Sequence, residues 1–319
     1  MTRSLAQFDS TQPFTTATAI EEGVGRRRLR TAEFRPIFHG VYISSLIPDT
    51  LVVRCKAALL VAPEHAVISH ESAARLWCPQ GPRSARTHVS FSYDAHLSRP
   101  ELCVHRFTYR LETAFRHGLL VTTPAMTFMH LAVRLELVEL VAFGDQLVKR
   151  GLISVDDLIR YAENWMHHGR AAGLRAAHLV REGVDSVPET RLRLLMVLAG
   201  FPEPKVNHVI YRSDGTVRNR IELVYDGIMV AIEYDGRWHE EADQRIKDEI
   251  RRAALALEGW TFFIVKTADL YETPDATLQR LAEVLGEHGV EVADPDLTDY
   301  RRHFSALRVA PPFEDDPAA

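Results

Sequence analysis

Cysteine is scarce in this chain: Cys55, Cys78 and Cys103 are the only three in 319 residues. Their odd number, wide spacing and lack of a C-x-x-C pair exclude a disulfide framework and a paired redox centre, and fit reduced thiols in a cytoplasm. His70, His88 and His105 are interleaved with them. With no close ligand pairs they read as scattered core residues, not zinc ligands, and Glu71 beside His70 reads the same way. No apolar run approaches the ~20 residues that span a bilayer, and the first residues lack an apolar signal core. The expectation is therefore a cytoplasmic protein with no membrane partner. A positive excess is missing too, since the net charge is −5 and the pI about 6.3. A wholly basic nucleic-acid binder is excluded, so any DNA contact must come from a local patch. No internal repeat is visible, and the proline- and acid-rich tail from Val309 is expected to be disordered.

What is present centres on residues 220–239. Two apolar, β-branched runs meet at Asp226-Gly227, a strong hairpin signal because both residues of a type I′ turn need φ > 0. A two-residue loop places Tyr225 opposite Ile228 and Glu222 opposite Ala231. Side chains two apart on a strand share a face. Glu222, Glu233 and Asp235 therefore project together, with His239 just beyond. Three converging carboxylates suit a hard cation such as Mg²⁺. The same register also puts Arg220 opposite Glu233 and Arg218 opposite Asp235, so the plain alternative is a pair of cross-strand ion pairs.

The flanks have clear punctuation. Ser186 with Glu189 three residues on, and Gly200 beyond, bound a helix. Residues 240–258 have helical composition, 260–265 read as a short buried strand and 277–288 as a final helix. Helix, hairpin, helix, strand, helix predicts a mixed sheet covered by helices.

These residues carry a resemblance. Pro188-Glu189 with Arg191, then Glu222 in the first strand, Glu233-Tyr234-Asp235-Gly236 with His239, Asp248 with Arg251, and Gly259-Trp260 follow one another in the order seen in very-short-patch-repair-like endonucleases. Residues 186–285 thus resemble that branch of the PD-(D/E)XK fold. The resemblance implies that Glu189 is the acid of the first helix and that Glu222, Glu233 and Asp235 hold Mg²⁺. It makes His239 the nearby acid or base, with Asp248 and Arg251 bracing the site. The chain departs from the family pattern at Glu222, where the family has Asp, and at Asp235, which takes the place of the generic motif's Lys. Two readings follow: a metal-dependent DNA endonuclease, or a DNA-binding regulator in which that fold is only a scaffold.

At the other end, Thr15 or Thr16 caps a short helix through Glu22, and Gly23 ends it. Arg26, Arg27, Arg28 and Arg30 lie on a second short helix, and residues 34–43 read as a hairpin. Two helices and a wing make a winged helix-turn-helix, with the arginines facing phosphates; a merely solvated basic helix is the alternative. Phe14-Thr15-Thr16, Leu29-Arg30 and His39-Gly40-Val41-Tyr42 resemble the abortive-infection type IV antitoxin regulators, as does Ser69-His70-Glu71-Ser72. That likeness implies double-stranded DNA and a toxin as partners. The overall expectation is an α+β protein. It has a winged helix at 1–48, a mixed middle domain at 49–180, a flexible join at Gly169–Gly173, the endonuclease-like domain at 181–291 and a tail at 292–319.

Overall fold

The computed structural model describes residues 8–91, 96–236, 242–290, 292 and 297–304, in two compact units that meet in sequence at Arg134 and Leu135. The class is α+β, with mixed and antiparallel sheets.

The first unit begins with β1 (Phe14–Thr15) and α1 (Thr16–Glu21), whose N-cap Thr15 accepts a 3.1 Å hydrogen bond from the Thr18 amide. The arginine run forms a single 3-10 turn, Arg28–Arg30, where a helix was expected. Leu29 is its one buried side chain, and one apolar residue offers no stripe to bury. The hairpin β2 (Phe34–Phe38) and β3 (Val41–Ser44) follows, with β3 central in a sheet of order β1-β3-β2. Phe14, Ala19, Val24, Leu29 and Phe34 close a small core beneath it.

The chain then runs through α2 (Leu51–Val61), β4 (Val67–Ile68), α3 (His70–Trp77), β5 (Thr87–Phe91), β6 (Leu102–Arg106), β7 (Thr113–Arg116), β8 (Leu119–Thr122) and α4 (Pro124–Leu131). The five strands form a mixed sheet, order β6-β5-β4-β8-β7. His117 and Gly118, both at positive φ (50° and 73°), make the tight β7–β8 turn, the two-residue geometry that matches strand twist.

The second unit opens with α5 (Leu137–Lys149), α6 (Val155–Glu163) and α7 (Arg170–Leu179), then α8 (Val187–Leu198). The expected flexible join is a helix. Gly169 takes φ 87° as the cap of α7, and Gly173 is buried within that helix, which packs on α5 and α6. α5, α6 and α7, read from sequence with the middle segment, belong to the second unit, where α5 packs on α7 and α8.

β9 (Lys205–Tyr211), β10 (Val217–Tyr225), β11 (Val230–Asp235), α9 (Ala242–Leu257), β12 (Thr261–Lys266), α10 (Thr267–Tyr271), α11 (Pro274–Glu287) and α12 (Leu297–His303) complete the unit. The sheet order is β12-β11-β10-β9, with only the β11–β12 pair parallel. The β10–β11 loop differs from the expected Asp-Gly turn. Asp226–Ile228 form a 3-10 turn and Met229 adopts φ 54°, so Tyr225 pairs with Val230 and Val224 with Ala231. The longer loop shifts the register by two residues. A shift of two preserves every face, so Glu222, Glu233 and Asp235 keep the common side.

One buried charge ties this unit together. Arg193 of α8 is fully buried and donates to Leu179 O (2.7 Å), Glu203 (2.9 Å) and, more loosely, Asp145 (3.5 Å). Asp145 also accepts from the Arg181 amide and the Thr190 hydroxyl. Burial pushes its carboxyl up to about 6, against the pull of Arg193. Stripping one partner from such a pair leaves an uncompensated charge, at a cost of about 3–5 kcal/mol. Arg193→Met is therefore expected to lower unfolding free energy by that amount in urea titrations, and Arg193→Met/Asp145→Leu to recover part of it. A loss of under about 1 kcal/mol would show that the burial is incidental.

Candidate functional site

The acidic face of β10 and β11 is built as the sequence implies but wired differently. Glu233 is 4% exposed and sits under α9. Arg251 donates to both its oxygens at 2.9 Å, and Arg252 adds a third bond at 3.0 Å. With the register moved by two, the expected Arg220–Glu233 and Arg218–Asp235 pairs do not form, and Arg218 instead meets Glu258 at 2.6 Å. Glu222 accepts from the Tyr234 amide at 2.7 Å. Asp235 is half-buried and lies beside Lys266 in the parallel register. Asp248 approaches Arg251 at 3.6 Å. A Cβ at Gly236 would meet the outer edge of the Tyr234 ring, which would have to shift. His239 lies outside the described residues.

Glu189 is committed elsewhere. Its oxygens accept from the Ser186 hydroxyl and the Asp185 amide, each at 2.9 Å, while its own amide donates to Ser186 Oγ. This reciprocal arrangement caps α8. Burial raises the carboxyl above its usual range, opposed by those bonds. Octahedral Mg²⁺ needs oxygen ligands at about 2.1 Å. As arranged, the carboxylates do not fit that requirement, since both Glu233 oxygens are taken by guanidinium groups.

The basic segment is more open. Arg26, Arg27 and Arg30 are exposed around the 3-10 turn that precedes the β2–β3 hairpin. Arg28 is drawn off into a bidentate pair with Glu33, at 2.8 and 2.6 Å.

The histidines read as scattered are brought together instead. Among the described residues, His70, His88 and His105 place three ligand atoms within 4.8 Å of one another. His70 starts α3 with φ 50°, His88 is on β5, and His105 is on β6. His88 pairs with Cys103 in the parallel ladder, so His105, two residues on, shares its face. His70 stacks on His105 at 3.6 Å and on His130 at 4.8 Å. Burial and the neighbouring imidazoles hold His105 down to about 3 and His70 far below its ordinary value. Burial would raise Glu71, but the close approach of His88 and the hydrogen bond from Arg134 outweigh it and hold the carboxyl at about 2. The signal available in sequence was the matched spacing of His88 and His105 in two adjacent strands, legible only once their parallel pairing is known.

No family model matches the chain. It is similar to an uncharacterized protein of Mycobacterium tuberculosis, found in strains CDC 1551 / Oshkosh and H37Rv. The two are 24% identical over 270 residues, covering 78% of this chain and 91% of the relative.

The depressed imidazoles predict an acid-sensitive first unit. Below about pH 6.5 the unfolded chain protonates His105 and the folded chain does not. Their stabilising contribution is thus complete above that pH and is lost as pH falls toward 3. In chelator, urea titrations at pH 7.5, 6 and 5 should show wild type losing more stability than His105→Phe. Parallel losses would count against the effect.

Proposed function

We propose that this protein binds double-stranded DNA as a regulator of the antitoxin kind, its second unit serving as a nuclease-like scaffold with a closed acidic face. The observation that carries this reading is the double arginine clamp on Glu233. Replacing three charge-assisted hydrogen bonds on a buried carboxylate by a metal leaves two guanidiniums to be placed elsewhere. Support for the DNA contact comes from Arg26, Arg27 and Arg30, exposed around the turn that precedes the β2–β3 hairpin, in a chain that is otherwise net acidic. Phosphate contacts of this kind position a protein and supply non-specific affinity.

A second reading, the Mg²⁺-dependent endonuclease, is favoured by one arrangement. Glu222, Glu233 and Asp235 share a face, with Lys266 in register beside Asp235. It requires Arg251 and Arg252 to leave Glu233, and DNA phosphates are the natural alternative acceptors for them.

Duplex binding followed by fluorescence anisotropy across a salt series tests the first reading. Arg26→Ala/Arg27→Ala/Arg30→Ala should weaken binding and reduce the slope of log K against log salt by roughly 0.9 per lost contact. An unchanged slope removes this turn from the interface. Plasmid incubated with Mg²⁺ or Mn²⁺ should stay as intact as in chelator. Nicking by wild type that Asp235→Asn abolishes would replace the regulator reading with the endonuclease one.

A further inference from the structure

We propose that His70, His88 and His105, together with Glu71, form a binding site in the first unit for a divalent transition-metal ion of the zinc class. Neither the acidic face nor the basic turn takes part in it.

The first argument is a count of protons. His88 Nδ1 lies 3.0 Å from His105 Nε2 and 3.0 Å from Glu71 Oε2. A ring nitrogen carries one proton at most, so it can serve only one of these two acceptors. The Nδ1 direction is aligned with His105, and the buried Glu71 Oε2 has no aligned donor despite its short approach. A buried carboxylate oxygen left in that state is costly. A cation placed among the three atoms satisfies all of them at once.

The second argument is what holds the outward-facing atoms. His70 Nδ1 meets Ser69 Oγ at 2.9 Å, and Ser90 Oγ donates to that same hydroxyl at 2.6 Å. His88 Nε2 meets Ser84 Oγ at 2.8 Å, and Arg134 donates to Glu71 Oε1 at 2.7 Å. Metal-binding histidines and carboxylates characteristically have the atom turned away from the ion fixed in this way. The arrangement leaves His70 Nε2, His88 Nδ1 and His105 Nε2 as the clustered donor set, with Glu71 Oε2 set against His88 Nδ1 alone and required to swing inward to join them.

Three imidazoles and one carboxylate suit zinc in a four-coordinate shell, with Zn–N about 2.0–2.1 Å. Ligand atoms in such a shell stand about 3.4 Å apart, so the 3.0 Å contacts need to open by a few tenths of an ångström and the wider spacings, within 4.8 Å, need to close. The stacked His70 and His105 rings must also tilt so that both planes meet the ion. Four protein ligands leave no position for water, which makes the site structural. It would tie the start of α3 to the β5–β6 pair.

The test uses the full chain, stripped with chelator and dialysed. Calorimetric titration with zinc chloride should give a single ion per chain and raise the melting temperature. Cobalt(II) should give the intense visible bands of a tetrahedral centre. His105→Phe and Glu71→Gln should lose the bands, and Ser69→Ala should weaken zinc binding roughly 10- to 100-fold. Glu222→Gln/Asp235→Asn should retain both signals, separating this site from the acidic face. If His105→Phe does not fold, His105→Gln, which keeps a polar side chain of similar size, replaces it. Folded, stripped wild type that takes up no zinc would overturn the proposal. So would undiminished binding by whichever His105 variant folds.

Discussion

Burying Arg193 forces the second unit to organise itself around charge. A guanidinium out of water needs its donors matched, and its partners come from well-separated parts of the chain: Asp145 of α5, the end of α7 at Leu179, and Glu203 on the approach to β9. The same carboxylate, Asp145, holds Thr190 beside the capping box of Ser186 and Glu189. The helix that the acidic sheet packs on is therefore set in place by polar bonds as much as by Leu192, Leu194 and Leu195.

That rule of matched charge produces opposite outcomes at the two acidic or basic clusters of interest. At Glu233 there is an excess of donors, with two guanidiniums over one carboxylate, and the face closes. Around His88 there is a deficit, with more acceptor atoms than protons, and the cluster is open to a cation.

The sequence was most legible where a local signal was complete. Thr15 caps α1, and Ser186 with Gly200 brackets α8, because caps and stops act within a few residues. It was least legible where an outcome hung on partners far along the chain. The loop after Tyr225 takes four residues because Met229 can turn left-handed, a choice the Asp-Gly signal hides. The faces survived because the error was even-numbered. The resemblance gives Arg251 a bracing role, and only the packing of α9 over β11 turns it and Arg252 onto Glu233. The histidine cluster depends on a parallel β5–β6 pairing across an intervening loop, which no periodicity announces.

His70 begins α3 at φ 50°, a conformation that costs a non-glycine residue roughly 1–2 kcal/mol. Glycine would hold that corner without strain, and asparagine with less. A position where the cheaper residue is one or two base changes away is a standing invitation to mutational drift. If the imidazole were idle, relaxation of the backbone alone would favour its loss in any lineage carrying this chain. The corner thus acts as a natural assay, in which the frequency of glycine or asparagine at this position among descendants reads out what the ring is worth.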